Sequence, residues 1–179
     1  MKTVREMNIG ELAAYVCSHL DRYGIYVALG GGAVVSIYAS DNFVSMDLDF
    51  IDLLQTSRLK LKKVLKEIGF EEKNRYFVSE ETEFFIEFPS GPLAVGNEPV
   101  KKLAELQFET GKLRLLSPTD CVKDRLSAFY HWGDRQCLQQ AVWVAEMKPI
   151  DWIEVERWSR QEGAAEKFVE FRAELQGLR

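Results

Sequence analysis

Apolar residues Leu12, Val16, Leu20 and Tyr23 recur at helical spacing behind Asn8 and Glu11, a reciprocal capping pair, and Gly24 stops the run. The pattern predicts an amphipathic first helix. Ile25 to Leu29 has no polar face and reads as a strand buried on both sides, ended by Gly30, Gly31 and Gly32. Ala33 to Tyr38 then reads as a short helix, Ser40, Asp41 and Asn42 as a polar loop, and Asp47 to Ile51 as a second strand. Thr56 is placed to cap a helix from Ser57 to Ile68 with Leu59, Leu61, Val64, Leu65 and Ile68 as its apolar positions, stopping at Gly69. Arg75 to Ser79 and Phe84 to Phe88 read as strands joined by the acidic turn Glu80 to Glu83.

Pro89 to Pro99 is rich in Pro and Gly and reads as loop, and the pattern of Val100 to Leu106 suits either helix or strand. Thr110 and Gly111 form a plausible hairpin turn before Lys112 to Leu116. Ser117, Pro118 and Asp120 open a helix running to about His131, and further helices follow at Asp134 to Met147, Trp152 to Gln161 and Ala164 to Gln176. Trp143, Trp152 and Trp158 sit at helical positions that suit a core. The expected fold is thus α/β (α+β), a mixed sheet flanked by helices over residues 1–116, with a C-terminal helical region over residues 117–179.

A length of 179 residues with 46% hydrophobic content allows a sizeable core, and a net charge of -5 argues against a protein built to coat nucleic acid. Cys17, Cys121 and Cys137 are odd in number and lack a C-x-x-C spacing, so a cytoplasmic protein without disulfides or thiolate zinc is expected. No signal peptide or membrane span is expected, because the longest apolar run is broken by the glycines.

On a strand, Asp47 and Asp49 project from one face about 7 Å apart, where like charges repel unless a cation lies between them. Oxygen-only donors favour Mg²⁺. Glu87 is the lone polar residue in Phe84-Phe85-Ile86-Glu87-Phe88 and needs a partner if buried. If its strand lies beside the Asp47 strand, three carboxylates converge as metal ligands for in-line displacement at phosphorus. Gly31 and Gly32 would let backbone amides approach a phosphate at the start of the next helix.

These residues resemble a known signature. Leu-Gly-Gly-Gly-Ala-Val-Val-Ser-Ile-Tyr from Leu29, followed by Asp47-Leu48-Asp49-Phe50 and a later acidic strand, is similar to the nucleotidyltransferase superfamily with the DNA polymerase β-like core. The spacing is nearest to its minimal bacterial members, the AbiEii-type toxins of toxin–antitoxin systems and MNT-like enzymes, in which a Ser often stands where Ser45 does. The family often has an Arg shortly before that Ser, where this chain has Phe43 and Val44, and a Lys where Arg125 stands.

The resemblance implies transfer of a nucleoside monophosphate from an NTP to an acceptor hydroxyl on RNA, protein or a small molecule, with Mg²⁺ as cofactor. Asp47, Asp49 and Glu87 would be the catalytic and metal-binding carboxylates, and Gly31, Gly32, Ser45, Lys123 and Arg125 the nucleotide-binding groups. A cognate antitoxin would be a partner. The competing expectation is a catalytically silent fold of this type that binds nucleotide or protein. The basic run Arg58, Lys60, Lys62, Lys63 and Lys66 is read as a solvated helix face rather than an RNA track.

Overall fold

The Asn8 and Glu11 pair caps the first helix reciprocally: Asn8 Oδ1 accepts the Glu11 amide and Glu11 Oε2 accepts the Asn8 amide, each at 3.0 Å. In the computed structural model, which describes residues 2–177, a short 3-10 turn (Val4–Glu6) precedes this helix, α1 (Ile9–Arg22). The chain continues through β1 (Val27–Gly30), α2 (Gly31–Tyr38), β2 (Asp47–Asp52), α3 (Arg58–Lys66), β3 (Glu71–Lys73), β4 (Tyr76–Ser79) and β5 (Thr82–Glu87). A small ribbon of β6 (Ala94–Val95) and β7 (Glu98–Pro99) leads to the hairpin β8 (Ala104–Phe108) and β9 (Gly111–Leu115). The helices α4 (Pro118–Trp132), α5 (Arg135–Met147), α6 (Trp152–Gln161) and α7 (Ala165–Leu175) complete it.

Seven strands form one mixed sheet in the order β3-β4-β5-β2-β1-β9-β8, so the α/β class with a helical C-terminal region is the one observed. β2 runs antiparallel to β1 and parallel to β5, with Asp49 opposite both Gly30 and Glu87. Leu48 and Phe50 of β2, Ile86 of β5 and Phe77 of β4 are fully buried on the other side of the pleat, continuous with Leu12, Val16 and Leu20 of α1. The same buried cluster takes in Leu126, Trp158 and Phe171 of the C-terminal helices.

Several boundaries differ from the sequence reading. Ser57, not Thr56, caps α3, accepting the Lys60 amide at 3.4 Å, while the Thr56 amide bonds Asp52 Oδ2 at 2.5 Å. Residues 100–106 contribute to a strand, the 89–99 loop contains the β6–β7 ribbon, and β3 is a further strand. Helix α2 starts at Gly31, so two of the three glycines lie inside its first turn. On α3, Arg58 and Lys62 pair with Glu72 and Lys66 with Glu71, while Lys60 Nζ donates to the Tyr23 carbonyl at 2.8 Å. Among the described residues, no helix is long and apolar enough to cross a membrane.

Glu162, at the end of α6, ties the β6–β7 ribbon to α4. Its buried carboxylate accepts the Asn97 amide at 2.9 Å and Asn97 Nδ2 at 3.0 Å, and it lies 3.1 Å from His131 Nε2. Glu162→Ala strands these donors, so we expect a loss of about 2 kcal/mol. A calorimetric melting temperature lower by roughly 4–8 °C would register it, and an unchanged value would show that water replaces the carboxylate.

Candidate active site

The strand registers assemble one row across the sheet: Tyr76 on β4 pairs with Glu87 on β5, Glu87 with Asp49 on β2, and Asp49 with Gly30 on β1. Neighbours in such a row point to the same face, about 5 Å apart along the hydrogen-bonding direction. Asp47 lies two residues before Asp49 and shares that face. The Glu87 side chain is 19% exposed, so it does not stand out in bulk water away from its two companions.

Each carboxylate has its own surroundings. The Ser45 hydroxyl donates to Asp47 Oδ1, and the Ser45 amide donates to Ser36 Oγ at 2.7 Å, which holds the loop before β2 against α2. Glu87 Oε1 lies 3.2 Å from Arg75 Nε at the turn between β3 and β4. Asp49 is packed against the start of α2. Gly31 has φ +64°, and a Cβ there would overlap Asp49 Oδ2 and come within 3.1 Å of Asp49 Cγ. Only glycine meets both conditions without strain.

Burial is the first cause that pushes the Asp49 carboxyl up, to about 6, and the charges of Asp47 and Glu87 add to it, while Arg125 opposes. The influence of Asp47 and Glu87 on Asp49 agrees with the strand register that places them on one face. It also fixes a sign. An acid with a raised folded-state pKa contributes its stability below its unfolded value of 3.8 and loses it as pH rises through about 6. Ionising Asp49 therefore costs the folded protein on the order of 3 kcal/mol by neutral pH in the absence of a cation. Asp49→Asn should melt higher than the unaltered protein above pH 6, with the gap closing toward pH 4. A gap independent of pH would refute this account.

Arg125 on α4 acts on Asp49 through its charge. Its guanidinium pairs with Asp124 and donates to Gln140 Oε1 at 3.4 Å and, weakly, to Cys137 Sγ at 3.8 Å, and its charge is felt at Asp49. Lys123 does not join this group. Two residues along a helix turn a side chain through about 200°, and Lys123 is buried on another flank of α4, 3.2 Å from Asp120 and 3.1 Å from Glu154 of α6. It lines a separate cavity of about 960 Å³ with Glu98, Lys101, Lys102, Ser117 and Glu154. The structure thus gathers Asp47, Asp49, Glu87, Gly31, Gly32 and Ser45, places Arg125 against Asp124 and Gln140 with only its charge reaching Asp49, and leaves Lys123 as a tie between helices.

Sequence reasoning missed Ser36, Arg75, Tyr76, Phe85 and Asp124 as neighbours of the site. Phe85 is paired with Asp47 across the strands and packs edge-on to Tyr76 with ring centroids 4.8 Å apart, so an aromatic flank borders the carboxylates. The available signal was period two: Phe85 and Glu87 share a face, as do Asp47 and Asp49.

The donor set is oxygen only, three carboxylates on one face, which in kind fits a hard divalent cation such as Mg²⁺. As placed, with Ser45 and Arg75 holding two of them, no group of three His, Cys, Asp or Glu among the described residues is drawn together closely enough to hold a metal ion.

No protein-family model matches the chain, and no curated protein matches its sequence. Among solved structures it is similar to the antibiotic-resistance factor ANT(2'')-Ia, determined in solution, at 11% identity and a TM-score of 0.48, covering 94% of this chain and 95% of that one.

Proposed function

We propose that the protein is a divalent-cation-dependent nucleotidyltransferase that moves a nucleoside monophosphate from an NTP to an acceptor hydroxyl. The observation that carries the reading is the placement of Asp47, Asp49 and Glu87 on one sheet face, where burial first and the charges of Asp47 and Glu87 second raise the Asp49 carboxyl. A carboxylate buried beside two others is held there at a cost, and a cation brought by the substrate would offset it.

In this reading Asp47, Asp49 and Glu87 supply the oxygen ligands. Bound Mg²⁺ would neutralise the triphosphate and acidify the acceptor hydroxyl. The acceptor oxygen bonds the α-phosphorus, the bond to the bridging oxygen breaks, pyrophosphate leaves, and the hydroxyl proton passes to a carboxylate or to water. Ser45 holds the Asp47 carboxylate in orientation through its hydroxyl. The first turn of α2 presents its positive end beside the carboxylates, a natural seat for phosphate oxygens near Gly31 and Gly32. Arg125, anchored by Asp124 and Gln140, supplies a positive charge on the α4 side.

The likeness of Gly31, Gly32, Ser45, Asp47 and Asp49 to toxin-type members of the superfamily supports a macromolecular acceptor and an antitoxin partner. Incubation with each α-labelled NTP, Mg²⁺ and a cell extract tests both levels. Label should appear in RNA or protein, whereas label in the small-molecule fraction would redirect the acceptor. No label in any fraction, together with no Mn²⁺ binding, would overturn the enzymatic reading.

A further inference from the structure

The ion pair on Glu87 differs in kind from the other ion pair beside the site. Arg125 and Asp124 are both largely buried, whereas the Arg75 side chain is 69% exposed where it meets Glu87. An exposed pair is weak and yields readily to a competing charge. The backbone beneath it is fixed. Arg58 Nη2 donates to the Arg75 carbonyl at 2.7 Å, Arg58 Nε bonds Glu72 Oε1 at 2.7 Å, and the Arg58 guanidinium lies 4.4 Å from the centre of the Phe77 ring. The turn is therefore pinned while its side chain is loosely held. In the same position the Arg75 guanidinium lies 4.8 Å from the centre of the Tyr76 ring, a contact that does not depend on the carboxylate.

We propose that Arg75 is a tethered counter-cation: it neutralises Glu87 until a divalent cation arrives, then yields the carboxylate, and so sets the cation concentration at which the site fills. The inference rests on the divalent-cation reading of Asp47, Asp49 and Glu87. Arg75 offers one charge at the edge of the trio, whereas a divalent cation offers two at its centre, so the exchange favours the metal once its concentration is sufficient. Arg75 is a positioning residue in this scheme.

The experiment measures Mn²⁺ binding to the full chain without nucleotide, by electron paramagnetic resonance of the free ion. Arg75→Gln should tighten Mn²⁺ binding about fivefold, and Arg75→Lys should fall between it and the unaltered protein. Lys73→Gln removes the same charge two residues away and should change binding less than about twofold. If Asp49→Asn abolishes binding but Arg75→Gln leaves it unchanged, or if Lys73→Gln matches Arg75→Gln, the role of Arg75 is overturned and the cation site stands. If neither the unaltered protein nor Arg75→Gln binds Mn²⁺, both readings fall.

Discussion

Asp49→Asn is expected to lower nucleotidyl transfer on the order of a thousandfold while leaving a folded and, above pH 6, more heat-resistant protein. The two effects share one cause. Asp49 sits between Gly30 and Glu87 in the strand register, packed against Gly31, and burial together with its acidic neighbours opposes its ionisation. An amide in its place relieves the apo protein of that repulsion and removes the charge a cation needs. Measuring pyrophosphate release and melting temperature on one preparation separates this from misfolding: a variant that loses activity and also melts lower would place Asp49 among structural residues. Asp47→Ala should lose activity to a similar degree, and it also strands the Ser45 hydroxyl.

Gly31→Ala is expected to lower activity about a hundredfold with a smaller effect on stability. The Cβ would overlap Asp49 Oδ2, and the backbone at φ +64° disfavours any side chain. The left-handed conformation costs roughly 1 kcal/mol for alanine. The overlap involves the end of a side chain, so rotating the Asp49 carboxylate relieves it at modest cost to folding. That same rotation displaces a ligand oxygen, and misplacement by about 1 Å is enough to cost about two orders of magnitude in rate. Gly32→Ala is the paired control. Its Cβ would lie 3.2 Å from Ser45 Oγ and 3.4 Å from the Phe43 ring, so a loss of about tenfold or less is expected. Equal losses in the two variants would mean that the start of α2, rather than the Asp49 carboxylate, is what the glycines protect.

What could be read from the chain was set by how local the cause is. The Asn8 cap and the helix opened by Ser117 and Pro118 depend on contacts three residues apart and were legible. So was the shared face of Asp47 and Asp49, which follows from the pleat alone. The pairing of Glu87 with Asp49 joins strands with α3, β3 and β4 between them, and the sequence supplied only the clue of a solitary carboxylate in an apolar run. The strands β3, β6 and β7 were invisible because two or three residues are too few to show an alternation. The sequence offers Arg125 or Lys123 for the phosphates without choosing between them, although helical geometry separates their directions. Arg75 escaped notice because turn residues carry no periodic signal, and its partner lies on a strand two positions along the sheet from β3.

The place of β2 in the strand order has a mechanical consequence. With β5 on one side and β1 on the other, β2 is clamped on both edges at Asp49, as an outer ribbon would not be, while Asp47 is paired with β5 alone. On the proposed reading, the carboxylate at the centre of the row is therefore carried by the stiffest part of the sheet, and its distance from Glu87 is set by the strand register rather than by the motion of a loop.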